Sequence, residues 1–176
     1  MIYTIKEGYH RSKWLPKLWF LKRKHRYSAA FDYNCWHERD DIEFTGINKL
    51  CGFSMPIHAE QPFGKWPVVK HLVNSVVIGW MPNFEREDVI NLYVITDNNG
   101  VEKRVLVGSV LTLEPFSIAI KILNGKCEVT IINGHEDTIH KEEYRMNTLF
   151  RFGYKLFPFF GGKSEAPNDM NILLYG

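Results

Sequence analysis

Cysteine is scarce in this chain of 176 residues: Cys35, Cys51 and Cys127 are far apart and form no C-x-x-C pair. An odd, sparse count excludes a disulfide-stapled secreted scaffold and a structural zinc site. Helical signals are equally thin. Only His135 to Met146 could carry a helical turn or two, and its apolar residues are poorly spaced for one face. No stretch reaches the roughly 20 apolar residues of a membrane-spanning helix. The most apolar early segment, Trp14 to Leu21, is interrupted by Pro16 and Lys17. Met1 to Glu7 lacks the apolar run of a signal peptide, so with Met1 as the start, synthesis and residence in the cytoplasm are expected. There is no N-x-S/T sequon, internal repeat or low-complexity tract. Phosphate-binding loops, dinucleotide fingerprints, G-x-S-x-G and H-E-x-x-H are missing too, and neither a cofactor nor a metal is expected.

What is present points to strands. Phe, Tyr and Trp make up 14% of the chain, within a 45% hydrophobic composition that is large enough for a real core. Strand patterns occur over 26–33, 47–54, 73–80, 90–96, 101–110, 118–122, 127–132 and 170–175, and residues 144–157 hold a further candidate. Asp97-Asn98-Asn99-Gly100 and Leu123-Asn124-Gly125-Lys126 are hairpin signals, because Asn and Gly accept the positive φ of tight turns. Many short strands with frequent turns predict an all-β fold: a jelly-roll-like, two-sheet antiparallel sandwich with little helix, one domain over 1–176. Residues 56–67 carry three prolines and read as a long irregular loop. Phe157 to Phe160 followed by Gly161 and Gly162 reads as an apolar plug and a tight turn.

Charge is unevenly placed. Residues 11–26 hold Arg11, Lys13, Lys17, Lys22, Arg23, Lys24 and Arg26 without an acid, leaving 15 basic against 20 acidic residues elsewhere. A basic, aromatic arm on a mildly acidic body is a contact signal. Trp14, Lys17, Trp19, Lys22, Arg23 and Lys24 are the candidate partner-binding residues. Other protein subunits in an oligomeric assembly are the favoured partner; nucleic acid is compatible but not favoured.

Few residues suggest catalysis. Glu38, Asp40 and Glu43 match the E-x-D-x-x-E spacing of laminarinase-type sandwich glycosidases, whose retaining chemistry needs two carboxyls about 5 Å apart. The intervening Arg39 and Asp41 are charged where such a strand faces its core, so a charged turn explains the run more simply. His58, in Pro56-Ile57-His58, is faintly similar to the Q-I-H of sandwich alginate lyases. Its Gln is replaced, and Tyr154 to Phe157 substitutes poorly for the Y-F-K-A-G strand of those enzymes. His135 and His140 are spaced H-x4-H without a third ligand. Asn48, Lys49, His71, Asn74, Ser75 and Trp80 could line a sheet face on which Trp stacks against a sugar, or could be an ordinary face plus one core Trp.

The segments His25 to Ser28, Ile47 to Ser54, Asn74 to Trp80, and Leu156 to Gly162 with Ala166 to Met170 resemble an uncharacterised family of gut Bacteroidetes and their crAss-like phages. The resemblance implies a concanavalin-like jelly roll and, if the chain is phage-encoded, a place in the virion. It supplies no catalytic residue, and Asn168 stands where that family often has His. The sequence therefore ranks a non-catalytic structural or interaction module first, a carbohydrate-binding module second and a glycan-cleaving enzyme third.

Overall fold

The computed structural model describes residues 1–12, 17–20, 24–37, 46–54, 74–98, 100–123, 125–146, 152–161 and 165–176. Among these residues twelve strands follow in order: β1 Ile2–Ile5, β2 Lys17–Phe20, β3 Lys24–Phe31, β4 Asn48–Ser54, β5 Asn74–Pro82, β6 Val89–Asn98, β7 Val101–Leu111, β8 Phe116–Leu123, β9 Lys126–Ile132, β10 Thr138–Arg145, β11 Phe152–Leu156 and β12 Met170–Tyr175. One sheet runs β1-β12-β3-β8-β9-β10 and the other β2-β11-β4-β5-β6-β7, each antiparallel throughout. Among the described residues the only helical piece is a 3-10 turn at Tyr33–Cys35, whose first N–H is capped by the Asp32 carboxylate at 2.8 Å. The protein is an all-β, jelly-roll-like sandwich.

Period-two alternation builds the core. In β3, His25, Tyr27, Ala29 and Phe31 are buried while Lys24, Arg26 and Ser28 are exposed. Phe31 meets Trp80 from the opposite sheet with ring centroids 5.1 Å apart, and His25 meets Phe53 at 5.6 Å. These cross-sheet aromatic pairs join the two inner faces. The apolar plug forms in part as expected: Phe160 is fully buried, Phe157 stacks on Tyr3 at 5.6 Å, and Phe159 bridges Lys49 and Arg11. Gly161 follows because a Cβ there would lie 2.3 Å from the Ile47 carbonyl oxygen.

Two expectations change. The His135 to Met146 segment is not helical: Thr138–Arg145 is β10, an edge strand paired with β9. Its Lys and Glu residues favour helix locally, but backbone pairing with β9 overrides that preference. Residues 11–26 are not a free arm where they are described, since Lys17–Phe20 pairs with β11 and Lys24 opens β3. Both hairpin turns occur, with Gly100 at φ 82° and Gly125 at φ 71°. All three cysteines are buried free thiols; burial pushes Cys35 and Cys127 up to about 12 and Cys51 also up, so none is a ready nucleophile.

Candidate functional site

Strand alternation sorts the residues of the second sheet. Val76, Ile78 and Trp80 of β5 and Ile90, Leu92 and Val94 of β6 belong to the core. Ser75, Val77 and Gly79 therefore point away from that core onto the outer face, as do Asn91, Tyr93, Ile95 and Asp97, although Ser75, Val77, Ile95 and Asp97 are themselves buried. Register continues this outer face into β4 through Lys49, which lies opposite Gly79. It reaches β7 through Leu106, Arg104 and Glu102, opposite Tyr93, Ile95 and Asp97.

The expected sugar-binding set is divided by this geometry. Trp80 is fully buried against Phe31 and offers no ring face to a ligand, so the core-Trp alternative describes it and a stacking role does not. Asn48 lies beside it on the inner face, and its Oδ1 accepts a 2.8 Å hydrogen bond from the Gly161 N–H. Asn74 is also buried on the inner side. Lys49 and Ser75 share the outer face, although Ser75 is buried. His71, His58, Glu38, Asp40 and Glu43 lie outside the described residues, as do Trp14, Lys22 and Arg23.

Electrostatics mark the same outer face. The Lys49 ammonium sits 5.6 Å from the Phe159 ring centroid, and burial pulls its pKa down against the opposing pull of Glu102. Glu102 and Arg104 form an ion pair, and both influence Lys49 across the two intervening strands. Half-buried Tyr93 has its pKa raised by burial. Asp97, only 8% exposed, is raised first by burial and then by Glu102, against a hydrogen bond from the Gly100 N–H; among the described residues its Oδ1 has no hydrogen-bond partner. A cation, an aromatic ring and a carboxyl acceptor thus share one sheet face, which suits hydrogen bonding and stacking against a hydroxylated ligand.

Tyr93, Asp97 and Arg104 were not singled out in the sequence. The alternation in Ile90-Asn91-Leu92-Tyr93 carried the signal for Tyr93. Asp97 opens a turn signal in the sequence, yet it is still within β6.

A second polar cluster lies on β10. His140 Nε2 is 2.9 Å from the Tyr144 hydroxyl, which donates to Glu142 at 3.3 Å. Because that hydroxyl proton goes to Glu142, the imidazole donates from Nε2. Burial lowers the His140 pKa and raises that of Tyr144. His135 projects from the turn before β10, with Glu114 3.9 Å away. Among the described residues no three His, Cys, Asp or Glu side chains gather to hold a metal, and no helix is long and apolar enough to cross a membrane.

No protein-family model matches the chain, and no curated protein does so. Solved structures do match. An alginate lyase from Klebsiella pneumoniae is similar with a TM-score of 0.60 and 9% identity, over 87% of this chain and 57% of the lyase. A functionally unknown protein from Saccharomyces cerevisiae is similar with a TM-score of 0.54 and 7% identity, over 98% of this chain and 82% of the other. At these identities the likeness is one of fold, and the chain spans little more than half the length of the lyase.

Proposed function

We propose that the protein binds a glycan chain on the outer face of the second sheet, without cleaving it. The observation that carries this reading is the shared outward placement of Lys49, Tyr93, Asp97 and Arg104 on β4, β6 and β7. Tyr93 takes the stacking role first considered for Trp80, Asp97 accepts from hydroxyls, and Lys49 and Arg104 donate. The fold shared with an alginate lyase accords with a sugar ligand. Binding without cleavage is favoured because, of the carboxyl pair on the described face, Asp97 is buried and Glu102 is held in an ion pair with Arg104.

Affinity electrophoresis of the full chain in gels containing a range of polysaccharides tests this reading. At least one glycan should retard the protein, and Tyr93→Ala should weaken that binding about tenfold, the scale of one lost stacking contact. Absence of retardation by any glycan rejects the proposal, and release of reducing or unsaturated ends would replace binding with cleavage.

A second reading is an assembly module, in the phage setting implied by the family resemblance. β7 is an edge strand with Val101, Leu106 and Leu111 exposed. Exposed apolar side chains along an unpaired edge suit pairing with another subunit. Sedimentation would show a concentration-dependent oligomer that Leu106→Lys disrupts.

A further inference from the structure

The first sheet has a different outer face. From β3 it presents Lys24 and Arg26, from β8 Lys121, from β9 Lys126, and from β10 Lys141 and Arg145, all exposed. Glu128 and Glu143 are the acids among them, and Glu143 is engaged by Lys126 at 2.8 Å. The face therefore carries a net +4 in a chain whose total is +2. Only Lys24 and Arg26 belong to the basic stretch visible in the sequence; sheet pairing brings in the other four.

Their arrangement is costly to the fold on its own. Lys24 stands directly opposite Lys121 across the β3–β8 ladder, where like charges repel, while Lys121 has Glu128 opposite it on its other side. Between the outer columns the floor is small: Ala119 and Thr130 separate Arg26 from Lys141 along one row. The β3 and β10 columns are three strand spacings apart, about 14 Å. Ridges of phosphate bordering the roughly 12 Å major groove of a duplex have a similar separation. A polyanion carrying its charges along one line would engage one column only. A protein seam would require a buried apolar centre, and here the centre is Ala119, Lys121, Glu128 and Thr130.

We propose that this face binds the phosphate backbone of duplex nucleic acid, independently of base sequence. The two basic columns each meet one phosphate ridge, and no aromatic side chain sits between them to stack on bases. This inference is separate from the glycan reading, which concerns the opposite face of the sandwich.

Fluorescence anisotropy with a 20-base-pair DNA duplex (about two helical turns) tests it with the full chain. Binding should weaken with salt at a log–log slope of about −4, near 0.9 per phosphate for four to five contacts. The double variants Lys24→Glu/Arg26→Glu and Lys141→Glu/Arg145→Glu, one for each column, should each reduce affinity at least tenfold. Two duplexes of unrelated sequence should bind alike. Lys24→Glu alone turns the repulsive pair with Lys121 into an attractive one, so it should keep or raise Tm while still weakening DNA; loss of binding in that variant is then no folding defect. No binding at 50 mM salt overturns the proposal. So does a dependence on one column alone, or equal binding of a linear polyuronate, which would mark a single-line polyanion site.

Discussion

Asp97 is a carboxyl kept at a cost. Its folded-state pKa is raised above the ordinary 3.8 by burial and by Glu102. Between the unfolded and folded values the native state binds more protons, so stability is lost as pH rises through that window and the full cost applies at pH 7. Asp97→Asn should therefore raise Tm at pH 7 by a few degrees, on a scale of about 2–4 °C per kcal/mol for a chain of this size. The gain should vanish in acid, where the wild-type carboxyl is also neutral, and the same variant should weaken glycan binding. His140 has the opposite sign. Burial lowers its pKa below the ordinary 6.5, so its contribution is complete above that value and is lost as pH falls through the folded value. Thermal unfolding from pH 7.5 to 5 should show a falling Tm, and His140→Gln should flatten the fall.

At the scale of elements, β4 depends on one glycine. Gly52 has φ 152°, and a Cβ there would lie 2.3 Å from the Val76 carbonyl oxygen and 2.7 Å from Val77 Cα, both in the neighbouring backbone. Gly52→Ala should destabilise by about 3 kcal/mol, the upper part of the range for overpacked sites, seen as a lower urea midpoint with an unchanged m-value. Most strands were legible before the structure because their apolar residues alternate, as in Ile118 to Ile122 and Cys127 to Ile131. β10 was not legible. Thr138–Arg145 is an edge strand with one buried residue, Tyr144, so it lacks the stripe that identifies a strand and is rich in helix-favouring Lys and Glu. β1 and β2 have four residues each, too few for periodicity to register.

At the scale of the whole molecule, the two outer faces differ in how far the sequence disclosed them. Polarity placed Lys49 among the site candidates, but the same criterion chose Asn48, Asn74 and Trp80, which the register turns inward. Which of two adjacent residues faces solvent depends on pairing, and a β-bulge between Lys49 and Cys51 shifts that phase within β4. The basic face of the first sheet was hidden for a related reason: its lysines and arginines lie on strands over a hundred positions apart in the chain, as Lys24 and Lys141 show.

Pairing over such distances also governs the order of events when the protein is made. β12 lies between β1 and β3, and β12 is the strand with which β1 pairs, Ile5 meeting Met170. β1 leaves the ribosome well before β12 and must wait for a partner about 165 positions later, roughly 10–30 s at ordinary elongation rates. Until then the β3 edge that β12 will cover stays open, and β1 has no ladder to join. The first sheet is thus completed by the last of its six described strands to emerge, and a nascent chain stalled before Met170 would display an unpaired edge to its neighbours on the polysome.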